Sequence, residues 1–76
     1  MISHDNELDV TGLASPLPIL HAVRALKLMR SGQVLRVLAS GRQVANDFRD
    51  YGKLSGAPVQ SQMVEGEVRE YLIQKR

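Results

Sequence analysis

The chain has no cysteine, no tryptophan and only one phenylalanine, with two tyrosines and two histidines among its 76 residues. Without cysteine there is no disulfide, no thiolate metal ligand and no thiol nucleophile. His4 and His21 alone do not make a zinc site, so neither a metal nor another cofactor is expected. An aromatic content of 4% with no stacking-plus-basic motif makes nucleic acid a poor candidate partner. No apolar run is long enough to span a bilayer, and the opening residues from Met1 to Glu7 lack the basic and apolar regions of a signal peptide. A cytoplasmic location without a membrane partner is the expectation.

What is present is an ordinary balance for a folding domain. Hydrophobic residues make up 43% and charged residues 24%, too apolar for a disordered chain. The length allows one domain, 1–76, with a thin core. Ten basic residues against eight acidic ones leave a formal charge of only +2, so the placement of charge matters more than its sum. His21, Arg24, Lys27 and Arg30 recur every three residues and would share one drifting stripe of a helix. That stripe is either a solvated face or a docking surface for an acidic protein.

The elements alternate. Glu7 to Val10 reads as a short strand closed by the Thr11-Gly12 turn. A helix should follow, with Ser15 as its N-cap and Pro16 at the first helical position, where no N–H is needed. Ile19, Ala22, Val23, Leu26 and Met29 supply its buried stripe, and Ser31-Gly32 its stop. Gln33 to Ala39, nearly continuous in Val and Leu but for Arg36, is the central strand. Ser40-Gly41-Arg42-Gln43 matches a capping box opening a second helix to about Leu54, with Val44, Phe48, Tyr51 and Leu54 facing inward. After Ser55-Gly56, Ala57 to Val64 and Glu67 to Gln74 form a hairpin about Glu65-Gly66, with Pro58 tolerable at the start of an edge strand. The order βαβαββ and right-handed crossovers predict a two-layer α/β (α+β) sandwich: a four-stranded mixed sheet with both helices on one face. Gln60, Gln62, Arg69 and Tyr71 are candidates for a partly solvated surface, their alternation being open, and Arg36 is expected to reach solvent.

Between the first strand and first helix stands Gly12-Leu13-Ala14-Ser15-Pro16-Leu17-Pro18. This segment resembles the Gly-Leu-x-Cys-Pro-x-Pro signature of the TusA-type, or SirA-like, sulfur-carrier family. Leu8-Asp9, Gly32, Asp47-Phe48, Gly56 and Tyr71 to Lys75 also stand where that family has similar residues, so the resemblance covers almost the whole chain. It implies the fold deduced above, which is similar to the carboxy-terminal domain of translation initiation factor three. It also implies a sulfurtransferase activity: a cysteine persulfide takes sulfur from a cysteine desulfurase or a rhodanese and passes it to an acceptor such as a DsrE-like subunit, for tRNA thiolation, sulfur oxidation or cofactor synthesis. The family cysteine falls on Ser15, within a motif of Gly12, Leu13, Pro16 and Pro18. His21, Arg24, Lys27 and Arg42, basic and near that position, become the candidate partner-binding residues.

A serine hydroxyl cannot hold persulfide sulfur, so the chain is expected to be inactive in sulfur transfer. An otherwise unchanged motif favours a Cys-to-Ser exchange in a carrier. The alternative is a natural cysteine-free module that docks on sulfur-transfer partners without chemistry of its own; Ser40-Gly41, where many relatives have Asp-Pro, is the one sign of such drift. A serine hydrolase is the weakest reading, because His21 lies well off the azimuth of Ser15 and no third group orients it.

Overall fold

Every second residue of the strand Val34–Ser40 (β2) is buried: Leu35, Val37 and Ala39 turn one way, and Arg36 and Leu38 the other. That alternation is the period of a strand with one covered face, and it organises the computed structural model, which describes residues 4–76. Met1, Ile2 and Ser3, part of the stretch read as lacking a leader, lie outside the described residues. Around β2 are the strands Asn6–Asp9 (β1), Val59–Glu65 (β3) and Val68–Gln74 (β4), with helices Leu17–Lys27 (α1) and Arg42–Ser55 (α2). The sheet order is β1-β2-β4-β3, with β1 parallel to β2 and both other pairings antiparallel. This is the βαβαββ mixed sheet expected from the sequence.

Both helices cover the face that carries Leu35, Val37, Tyr71 and Ile73. From α1 come Ala22 and Leu26, and from α2 come Val44 and Phe48, all in one buried cluster with those strand residues. Phe48 has no exposed surface and stacks on Tyr71 at a centroid separation of 4.2 Å and an interplanar angle of 13°. Burying a phenylalanine contributes about 2–3 kcal/mol, a large share in a domain whose total stability is on the order of 4–11 kcal/mol.

Several local expectations are corrected. The first helical residue of α1 is Leu17, Pro16 occupies the cap position, and no side chain caps it; the Ser15 hydroxyl is engaged elsewhere. The helix closes at Leu28, before Gly32, whose positive φ of 90° serves a later turn where its N–H donates to the Lys75 carbonyl at 2.8 Å. Likewise α2 is entered through Gly41 with no side-chain cap, because Ser40 belongs to β2 and its Oγ accepts from the Gly12 N–H at 3.3 Å. Gly56 does end α2 in the left-handed conformation. Leu54 is 88% exposed, since it lies about 90° around the helix from the Val44, Phe48 and Tyr51 stripe. Tyr71 is core and Arg69 shares its face, whereas Gln60 and Gln62 lie on the open face opposite Leu72 and Glu70.

The open face carries an ion-pair strip. Arg36 donates to Glu70 at 2.6 Å and to Glu7 at 3.3 Å, Gln62 donates to the other Glu70 oxygen at 3.0 Å, and His4 meets Glu7 at 2.7 Å. Arg36 therefore spends its charge within the sheet. The Arg36 hydrogen bond holds the Glu70 carboxyl below its ordinary range, with partial desolvation opposing it and Gln62 assisting. A carboxylate with a lowered folded-state pKa stabilises the fold above its unfolded pKa and loses that contribution as pH falls through the folded value. Glu70→Gln should therefore lower the melting temperature by a few degrees at neutral pH. The gap from the unchanged protein should close as the pH is taken below about 4.5, the ordinary glutamate value. Phe48→Leu should cost roughly 1–2 kcal/mol by urea unfolding, and Phe48→Ala about 3–5 kcal/mol, a large share of the whole stability.

Candidate functional site

The loop from Val10 to Pro16 is pinned before it reaches Ser15. The Asp9 carboxylate accepts from the Thr11 hydroxyl at 2.6 Å and the Thr11 N–H at 3.0 Å, and these bonds hold its pKa below the usual value. Gly12, at φ +88°, directs its N–H to Ser40, and Leu13 N–H returns to the Val10 carbonyl at 3.1 Å. One more turn, Leu17 N–H to Ala14 carbonyl at 2.9 Å, passes the chain into α1 with Pro18 fully buried and Pro16 exposed. The Ser15–Pro16 peptide is cis.

Half-buried between these turns, the Ser15 hydroxyl donates to Asp47 Oδ2 at 2.5 Å. The second Asp47 oxygen accepts from Gln43 Nε2 at 3.2 Å, one helical turn earlier on α2. A loop before α1 is thus joined to the first half of α2, and residue 15 faces a carboxylate. On the loop and the first turn of α1 beside Ser15 in the chain, three leucines are exposed: Leu13 at 37%, Leu17 at 46% and Leu20 at 52%. Further along the same outer face of α1 come His21, Arg24 and Lys27, all exposed. Arg24 and Lys27 lie in the last turn, where cations also complement the helix dipole. Arg42 is exposed as the first residue of α2, next to Gln43.

Of the residues singled out from the sequence, Gly12, Leu13, Ser15, Pro16 and Pro18 form the loop and its helix entry. His21, Arg24 and Lys27 line the helix leading away from it. Asp47 and Gln43 had no site role in the sequence reading, although Asp47 was noted beside Phe48. Their signal was an Asp and a Gln four residues apart, each one position off the Val44 and Phe48 core pair. The exposed Leu17 and Leu20 were missed for want of any rule that exposes an apolar residue.

Comparison with known proteins agrees with the fold. The model of the family described as sulfurtransferase TusA matches residues 6–75. The chain belongs to the TusA family. The sulfur carrier protein TusA of Allochromatium vinosum is 41% identical over 75 residues, 99% of either chain. A putative sulfur carrier protein, YrkI, of Bacillus subtilis is 37% identical over 71 residues, 93% of this chain and 95% of that protein. The crystal structure of a SirA-like protein from Desulfitobacterium hafniense superposes with a TM-score of 0.82 over 92% of this chain and 96% of that one, at 22% identity, a likeness of fold. Two helices on a four-stranded mixed sheet are therefore the TusA-family architecture, and the family is one of sulfur carriers.

The Asp47 carboxylate has a definite consequence for any ionisable group at position 15, because a like charge within hydrogen-bond reach disfavours an anion. In a Ser15→Cys variant the thiol should titrate higher than in Ser15→Cys/Asp47→Asn, by roughly one unit. Thiolate absorbance against pH measures the difference.

Proposed function

We propose that this chain is a TusA-type sulfur-carrier domain in a form that cannot carry sulfur: it docks on sulfur-transfer partners, and residue 15 contributes no persulfide. The observation that supports this reading is the Ser15 hydroxyl, half-buried, committed to Asp47 and set among exposed leucines at the entry to α1. A carrier must present one atom of a short side chain to two different proteins in turn. Apolar side chains around that atom supply contact area that excludes water, and a basic margin steers the encounter. Leu13, Leu17 and Leu20 fit the first requirement; His21, Arg24, Lys27 and Arg42 fit the second, toward an acidic surface on a desulfurase, rhodanese or DsrE-like acceptor.

The hydroxyl is the wrong chemistry for the cargo. Persulfide transfer needs a thiolate that attacks sulfane sulfur and later leaves as a thiolate. An alkoxide is neither populated at neutral pH nor a comparable nucleophile toward sulfur. Asp47 and Gln43 hold residue 15 in place through the carboxylate, and Pro16 and Pro18 limit the backbone at the helix entry. On this reading Ser15→Cys restores the relay, with the whole chain as the carrier domain in the cytoplasm.

Intact mass after incubation with a cysteine desulfurase and cysteine tests this reading. The Ser15→Cys variant should gain one reductant-labile sulfur atom and the unchanged chain none. Adding Arg24→Glu to Ser15→Cys should slow loading about tenfold at low salt. If the Cys variant stays unloaded with desulfurase and rhodanese donors alike while folded, the carrier reading fails.

A further inference from the structure

About 130° around α2 from Asp47, the helix and the β3–β4 hairpin enclose an open groove of about 450 Å³. Its rim and walls carry Asn46, Arg49, Lys53, Ser61 and Arg69, and Tyr71 forms part of its floor. Gly52 lets α2 settle close on β3: a Cβ there would stand 3.1 Å from Val59 Cγ2. Ala57 and Val59 complete an apolar strip beside the cations.

Two features single this groove out from an ordinary basic surface. Tyr71 is 3% exposed and stacked on Phe48, yet its hydroxyl makes no hydrogen bond among the described residues. No buried side-chain oxygen among them is left without a partner, so that hydroxyl meets solvent through the groove it lines. Burial raises the phenol pKa and the Arg69 charge pulls the other way, so the group remains a protonated donor at neutral pH. The charge is also uncompensated. Among the described residues neither Lys53 nor Arg69 has a carboxylate within 4.0 Å, and Arg49 only leans on Asp50 at 3.4 Å, with both side chains more than half exposed. Three cations against one adjacent carboxylate leave two positive charges, which matches a phosphomonoester dianion.

We propose that this groove binds a small phosphomonoester, its phosphate held by Arg69, Lys53 and the Tyr71 hydroxyl and its apolar body lying along Ala57 and Val59. The volume is that of a small-molecule site rather than of a protein interface. Because α2 separates it from Ser15, such a ligand and a sulfur-transfer partner can occupy the protein together.

Phenyl phosphate, titrated into isotope-labelled protein at about 0.15 M salt and followed by amide NMR, is the test. Saturable shifts should concentrate in residues 45–61 and 69–71. Inorganic phosphate should shift the same amides more weakly, and phenol should leave them in place. Arg69→Gln and Lys53→Gln should each weaken binding about tenfold, Tyr71→Phe should weaken it while keeping the core stack, and Arg30→Gln should not change it. Retained amide dispersion reports that each variant is folded. Shifts spread equally over the α1 cations, no saturation below about 10 mM, or unchanged affinity in folded Arg69→Gln would overturn the proposal.

Discussion

Phe48 packed flat on Tyr71 is the contact on which the rest of the structure depends. It joins the middle of α2 to the middle of β4 and closes the buried cluster of both helices and three strand residues of β2. A chain of this size has apolar side chains enough to cover one face of a four-stranded sheet. Once that face is chosen, α1 and α2 must lie side by side on it, and their amino-terminal regions come within side-chain reach. The Ser15–Asp47 hydrogen bond is a product of that crowding. So is the bare opposite face, where the polar groups find partners in one another through Arg36, Glu70, Glu7 and Gln62.

The site joins a rigid entry to a soft surround. Thr11, Gly12 and Leu13 bond back to the strand end, Pro18 is buried, and Asp47 clasps residue 15 from across the layer. The leucines about it are exposed without any internal reason. Apolar side chains left in water beside a pinned polar atom are the feature on which the docking reading proposed above rests. The Asp47 carboxylate acts at the same point: a negative charge beside residue 15 disfavours a free anion there.

The two sides of α2 are chemically unlike. Toward α1 it presents Gln43 and Asp47 to the loop; toward β3 it presents Asn46, Arg49 and Lys53 to a groove floored by the reverse side of the core stack. One helix thus borders two surfaces, a carboxylate clasping residue 15 on one side and a row of cations over the groove on the other, and Tyr71 contributes its ring to the core and its hydroxyl to the groove.

Element type and order were legible in the sequence because they rest on local physics. The apolar periods of the Ile19 to Leu26 and Val34 to Ala39 segments, and the glycines at positions 12 and 56, speak for themselves within a few residues. So did the family, carried by the Gly-Leu-x-x-Pro-x-Pro spacing. The caps were misassigned because Ser15 and Ser40 each have a short oxygen suited to a nearby helix end, while in the folded chain more distant groups, Asp47 and the Gly12 N–H, claim them. Which alternation of β3 and β4 faced the helices, the exposure of Leu54, the meeting of residue 15 with Asp47 across 32 positions of sequence, and the groove beneath α2 were decided only by tertiary structure. Each depends on how one element is rotated against another, and that rotation is set by packing summed over the whole core rather than by any stretch of sequence within it.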